Sequence, residues 1–443
     1  MSLARQKGVT GFKSTRKIDR RIVALALPAL GALAADPLLS LVDTLFVSRL
    51  GTAELGALGV NGAIFGFAFV LFNFLAYATT PLVAQALGRG DPLEASAVVS
   101  RALWLALGLG TASMAVLATG AHHLVGLMQA SGELTGPAVS YLRIRALAAP
   151  AVLVVMASHG AFRGFQDNGT PFRVALGANL ANALLDPLLI FGLGWGIAGA
   201  AWASVTSQVG AAVWFLILLR RKLGLVLTRP PDLVGLSALL RTGGALTLRT
   251  LFLVGALAVG TAVAAASGTT AVAAHQVVRE TWFLSAMLVD GLAIAAQALV
   301  AELTGRGDRP GARRVSKRLL AWGLAVGLVM AIGWLIGGPV LAAAFASDSE
   351  VERLIIAATR ITAVMAPLAA VVWVLDGIFL GELRVKVLVA STAAGALAGL
   401  IGFLLTDLWD WGLTGVWWAT AGLVGGRAVI LVLAYRFGQR GRV

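Results

Sequence analysis

Long apolar runs separated by short polar turns recur from residue 21 to residue 436. Each is at least as long as the roughly 18 residues a helix needs to cross the hydrocarbon core of a bilayer. In that medium a spanning segment must satisfy its own backbone, which favours helices. The runs predict twelve spans, at about 21–50, 54–86, 95–120, 136–162, 171–193, 195–219, 238–266, 270–303, 314–345, 353–380, 384–406 and 412–436. The expected fold class is an all-α polytopic membrane protein.

The turns between the runs alternate in charge. Basic residues precede the first run (Arg5, Lys7, Lys13, Arg16, Lys17, Arg20, Arg21) and return at every second connection: Arg89 and Arg101, Arg163 and Arg173, Arg220 to Lys222 with Arg229, Arg306 to Arg318, and Arg436 to Arg442. The other connections carry Glu54, Glu133, Asp348, Glu350, Glu352, Asp407 and Asp410. The positive-inside rule then puts both termini in the cytoplasm of a multi-pass protein of the cell (inner) membrane. The first 21 residues are basic, but the run behind them is too long for a signal-peptide core and has no small-residue cleavage site, so it stays as the first span.

The pattern also repeats. At an offset of 217, LAYATTPLVAQALGRGD (75–91) meets LAIAAQALVAELTGRGD (292–308), Gly51-Thr52 meets Gly268-Thr269, and Pro150 meets Pro367. With one residue deleted, WGIAGAAWAS (195–204) meets WGLTGVWWAT (411–420). Apolar bias aligns Leu with Leu but not GRGD with GRGD, so the chain is a duplication of six spans. Six is even, so both copies enter the membrane the same way, the parallel-repeat plan of transporters with a cavity between lobes. The expected division is a segment 1–20, an N-lobe 21–220, a linker 221–237, a C-lobe 238–436 and a tail 437–443. The GRGD turns read as helix–helix connections, since a phosphate loop needs a longer Gly-rich pattern with a Lys.

Composition narrows the function classes. The 443 residues are 58% hydrophobic and 13% charged, with a mean hydropathy of +0.88. The net charge of +14 is scattered over the turns rather than gathered in one stripe, which suits anionic lipid and argues against nucleic acid. There is no Cys, which excludes disulfides, iron–sulfur clusters and thiol catalysis. No Ser–His–Asp order or HExxH motif points to an enzyme. His122-His123 falls in an external loop without Cys or acid at ligand spacing, so no metal site is expected.

Carboxylates inside the spans carry the candidate chemistry, because each costs several kcal/mol in hydrocarbon unless it is used or paired, about 2.5–3.5 on insertion scales. The first span holds Pro28, Asp36, Pro37 and Asp43, and Pro28 is positioned to kink it. Asn182 and Asp186 lie four apart on one face of the fifth span, and Ser204 lies on the sixth. Such a set can share a proton between carboxylates or offer hard oxygen ligands to a small cation. The bland alternative is that Asp186-Pro187 ends a helix and Asp43 sits at the outer interface. The second copy has Gly260 opposite Asp43, Ala245 opposite Pro28 and a glycine near Gly402 opposite Asp186. It carries its own acids, Asp290 and Asp376, opposite Asn73 and His159. Arg249 or the Arg279-Glu280 pair could neutralise these, or each could bond neighbouring backbone. His159 and His275 are candidate proton relays or buried structural histidines.

LVDT in the first span, NALLD in the fifth, DGLA in the eighth and LDGIFLG in the tenth together resemble the multidrug and toxic compound extrusion (MATE) family, in its DNA-damage-inducible protein F branch. The resemblance covers residues 20–436. It implies a monomeric antiporter, without cofactor, that exports organic, often cationic or amphiphilic, compounds in exchange for H⁺ or Na⁺. Carried over by position, the coupling acids match Asp43 and Asp186, the polar flank matches Tyr141, Asn182 and Ser204, and the kink proline matches Pro28. His159 stands where some relatives have Asn. Other branches place essential acids in the C-lobe, where Asp290 and Asp376 lie. Phe69, Phe72, Trp282 and Phe283 are the aromatic side chains proposed to line a substrate cavity. The alternative reading is a lipid-linked carrier flippase of the same wider superfamily, which should show extra helices or a strongly basic cavity.

Overall fold

A computed structural model describes residues 15–128, 132–223, 233–346 and 349–440. Outside these residues lie the start of the N-terminal segment, Arg229 to Asp232 of the linker, Asp348 and the last residues of the tail; the side chains of 34–41, Asp36 among them, are also outside the description. Among the described residues there is no strand. The first half comprises α1 (Thr15–Val47), α2 (Thr52–Val70), α3 (Phe74–Gly88), α4 (Pro92–Thr119), α5 (Ala121–Leu127), α6 (Thr135–Ala146), α7 (Ala149–Gly164), α8 (Gly169–Pro187) and α9 (Gly196–Leu223). The second half comprises α10 (Leu233–Ala266), α11 (Thr269–Gly305), α12 (Arg309–Phe345), α13 (Ser349–Gly381), α14 (Val385–Leu408) and α15 (Gly412–Arg440).

Among the described residues, ten stretches are long and apolar enough to cross a membrane, with α2–α3 counted as one, and α6–α7 forms an eleventh that is bent by 52°. The 33 residues of α1, about 50 Å long at 1.5 Å per residue, complete the twelve. Two spans that read as single runs are interrupted. Between α2 and α3 the bonds Phe72 N–Phe69 O and Asn73 N–Val70 O tighten the chain to a three-residue spacing. Between α6 and α7 the bend falls at Leu147-Ala148, just before Pro150, which lacks the N–H that would continue the helix by bonding Ala146 O. His122 and His123 are exposed on α5, a short helix rather than a loop.

Both GRGD turns are helix connections. Asp91 accepts a bond from Glu94 N at 2.9 Å to cap α4, and Asp308 accepts one from Gly311 N at 2.8 Å to cap α12. Gly90 and Gly307 take φ of 78° and 74°, a left-handed backbone that suits glycine.

The duplication extends to packing. A Cβ on Gly160 would meet Ala76 O at 2.8 Å, and one on Gly377 would meet Ala293 O at 2.3 Å. A Cβ on Gly110 would lie 2.4 Å from Pro150 Cα, and one on Gly327 would lie 2.7 Å from Pro367 Cα. Every partner is displaced by the same 217 residues. Without side chains at these points the helix backbones close on one another, the small-residue packing of membrane helices.

The residues group into two compact units, one of Pro28–Val254 and one of 1–27 with Gly255–Val443. In the second, the first turns of α1 bury Ile18, Ile22 and Leu25. Arg318 clasps Asp19 with bonds of 2.6 and 2.8 Å, and Trp322 Nε1 donates to the same carboxylate at 2.9 Å. Arg21 pairs with Glu302 at 3.1 Å, and Glu302 also holds Arg306. In the first unit, the start of α10 buries Leu239 and Leu246, and Thr247 Oγ1 donates to Leu71 O at 3.2 Å. The turn from α7 to α8 is fixed by Asp167, which accepts from Thr170 N at 3.1 Å and from Lys222 Nζ at 2.7 Å.

Candidate functional site

Within the Pro28–Val254 unit, three helices, α6, α8 and α9, converge on the end of α1. Asp43 lies on its last turns and is half-buried. Asn182 and Asp186, one turn apart on α8, are fully buried, and Ser204 on α9 and Tyr141 on α6 are nearly so. Asp186-Pro187 does end α8, which passes into a π-turn over Leu188–Gly192, but the carboxylate turns inward.

The carboxyl groups of Asp43 and Asp186 are hydrogen-bonding neighbours. The Asn182 amide lies between them. In one orientation Nδ2 donates to Asp43 Oδ1 at 2.9 Å and Oδ1 accepts from Ser204 N at 3.3 Å. In the other, Nδ2 reaches Asp186 Oδ1 only at 3.5 Å, the limit of a hydrogen bond. The first is preferred because it satisfies both ends of the amide. Tyr141 hydrogen-bonds Ser204, and Asp186 Oδ2 is buried without a hydrogen-bond donor.

Sequence reasoning missed two further members. Arg145, one turn beyond Tyr141, acts electrostatically on Asp43 and Tyr141, and its guanidinium lies 5.4 Å from the centroid of the Phe65 ring. Asn61 is fully buried and donates to Ala57 O at 2.8 Å and Ala138 O at 3.1 Å, tying α2 to α6. An arginine and an asparagine inside apolar runs were the available signals.

His159 stands apart from the carboxyl cluster, packed edge-on against Phe215 at 5.3 Å. Phe69 stacks on Phe65 at 5.7 Å and meets Phe72 at 6.4 Å. In the other unit Trp282 touches Phe283, Trp373 and Trp417 at 5.5, 5.8 and 6.3 Å.

The second unit has no room for the same cluster. A Cβ on Gly260, the counterpart of Asp43, would strike the Phe403 ring at 2.7 Å, and one on Gly402 would meet Ala419 at 2.7 Å. Asp290 lies half-buried on α11. Asp376 pairs with Arg427 of α15, a partner the sequence did not name, both nearly fully buried. Arg279 instead bonds Glu280 at 2.8 Å and Thr261 at 3.4 Å, and His275 Nε2 lies 3.2 Å from Thr261 Oγ1.

The MatE family model matches residues 28–188 and 245–404, once in each repeat. The chain belongs to the MATE family. It is therefore a multi-pass membrane transporter and not an enzyme. Protein DETOXIFICATION 44, chloroplastic, of Arabidopsis thaliana is 38% identical over 440 residues, covering 96% of this MATE chain and 83% of that protein. DNA damage-inducible protein F of Escherichia coli (strain K12) is 31% identical over 410 residues, covering 88% and 86%. A solved MATE structure described as in the bent conformation superposes with a TM-score of 0.82 at 23% identity, covering 97% and 98%. That likeness extends the shared fold over nearly the whole chain.

Proposed function

We propose that this MATE chain is an antiporter that exports organic, often cationic or amphiphilic, compounds in exchange for protons, with the Asp43–Asp186 pair as the ion station. The observation that carries the reading is the contact between two carboxyl groups beside a buried amide. Two carboxyls bond to one another only when one holds a proton. Asn182 spends its amide hydrogen on Asp43 and its oxygen on Ser204, so little of its oxygen remains for a metal cation. Sodium, a hard cation, would need several more oxygens. The proton is the better fit.

In this mechanism proton uptake on the outward side joins the two carboxyls and draws the end of α1 toward α8. The movement is absorbed at Pro28, where α1 passes from one compact unit to the other and where the missing N–H frees a carbonyl one turn earlier. Proton release on the inward side, with Arg145 as the nearby positive charge, separates them again. A swing of population from 1:99 to 99:1 takes about 5.5 kcal/mol of differential binding, within reach of a proton-motive force that acts on a buried acid. The basic even-numbered connections support cytoplasmic termini in the inner membrane.

The test is efflux from proteoliposomes under an imposed pH gradient or an imposed Na⁺ gradient, with ethidium as probe. The pH gradient should drive transport, and Asp43→Asn or Asp186→Asn should reduce it to the protein-free background without loss of folded, inserted protein. Transport by Asp43→Asn at the wild-type rate would refute the station; drive by Na⁺ alone would refute the proton.

A further inference from the structure

Among the described residues, one fully buried ion pair takes no part in the proposed mechanism. Asp376 on α13 and Arg427 on α15 are bonded carboxylate to guanidinium, with side chains 6% and 4% exposed. The backbone is shaped to admit the arginine. A Cβ on Gly395 of α14 would lie 2.4 Å from Arg427 Cγ and 2.6 Å from Leu423 O, so only glycine leaves space for Arg427 to pass. The first repeat has no such pair. His159 occupies the place of Asp376 and packs on Phe215, while the place of Arg427 falls on Ala211.

We infer that Arg427 is a tethered counter-cation that holds Asp376 permanently occupied and so withholds this acid of the second repeat from the ion cycle. A guanidinium stays charged in proteins and cannot leave its site. A carboxylate that it holds is closed to exchange with a proton or a free cation, whereas Asp43 and Asp186 face one another with no covalently tethered cation bonded between them. Arg427 thereby removes the Asp376 site from the number of ions the protein couples. Several charged groups on the elements packed around α13 have partners of their own, and Asp290 of α11 is half-buried. Glu302 holds Arg21 and Arg306, Arg318 holds Asp19, Arg279 holds Glu280, and Arg384 lies near Glu382 and over the Phe379 ring.

The inference concerns ion binding by an ion-coupled chain, and it is tested without any transported compound. Purified full-length protein is assayed for bound ²²Na⁺ per chain in choline-balanced buffer, and for protons taken up between pH 8 and pH 5. Arg427→Met should bind one more ion per chain than the wild type, as Na⁺ or as a proton, while Arg427→Lys keeps the wild-type count. The double variant Asp376→Asn with Arg427→Met should return to the wild-type count, and it remains informative if the single variant does not fold. A folded Arg427→Met with no added ion, or a double variant that binds one ion fewer than the wild type, would overturn the proposal. Neither result bears on Asp43, whose role is decided by pH-driven efflux.

Discussion

At the scale of single residues, the polar side chains around Asp43 hold one another in a connected group, and each member has a measurable consequence. Replacing Asn182 by Ala strips the donor from Asp43 and the acceptor from Ser204 N, at a cost of about 1–3 kcal/mol for the buried group left unpaired. We expect a lowered melting temperature in detergent and slower pH-driven efflux, both of which Asn182→Asp would fail to restore because it adds a third carboxylate. Two acids outside the spans report through pH instead. The bonds from Arg318 and Trp322 hold Asp19 below the usual carboxylate range. Burial alone would raise Asp167, but the bond and charge of Lys222 and the bonds from Thr170 outweigh it and leave it lowered. A lowered folded value means the stabilisation is present above the unfolded value of about 3.9 and is lost as pH falls through the lower folded one. Melting temperature should therefore drop more slowly between pH 5 and pH 3 for Asp167→Asn, which already lacks the contribution, than for the wild type. Both partner choices were hidden from the sequence. The chain names a carboxylate inside a span, but which arginine two helices away reaches it depends on packing, as Arg427 and Asp376 demonstrate.

Glycine contacts set the energetics at the scale of helices. Gly160 on α7 and Gly377 on α13 are repeats of one another, and each lets its helix close onto a carbonyl oxygen, of Ala76 and Ala293 respectively. Alanine at either position should cost about 1–3 kcal/mol through overpacking. Gly59→Ala on α2, which meets nothing within 4 Å, should be neutral or slightly stabilising in a helix. Thermal unfolding of the three purified variants checks this, and similar losses for Gly160→Ala and Gly377→Ala would confirm that the two repeats share one packing rule. Much at this scale was legible. Twelve runs, the duplication and the GRGD turns follow from apolar length, identical residues at one offset and cap chemistry. The break after Val70 was not, because a lone Asn such as Asn73 does not by itself mark a break: Asn61 sits in the same apolar run inside an unbroken α2. The bend before Pro150 was equally hidden, since its counterpart Pro367 lies inside a continuous α13 and proline alone therefore does not predict it.

At the scale of the whole chain, the acid cluster belongs entirely to one unit, and its place in the other is filled by Phe403 and Ala419. The duplication made that asymmetry readable in advance, as Gly260 opposite Asp43, and the packing supplies its physical form. A prediction follows for Gly260→Asp. It sets a carboxylate against an aromatic ring, so it should destabilise the fold by several kcal/mol and should not create a second station, as measured by melting temperature and by bound protons. The limits of the compact units were not legible, because they fall inside the continuous helices α1 and α10 rather than at a loop.

Those limits have a consequence for dividing the gene. A cut within 224–232 would yield an N-terminal piece that carries residues 15–27, which are seated among the helices of the other piece through Asp19, Ile18 and Ile22. The C-terminal piece would carry the start of α10, seated through Leu239, Leu246 and Thr247 among the helices of the first. Each half-gene product thus holds a strip of its sibling's interior, so neither can complete itself alone, and the two expressed together should assemble by reciprocal exchange and copurify through a tag on either one.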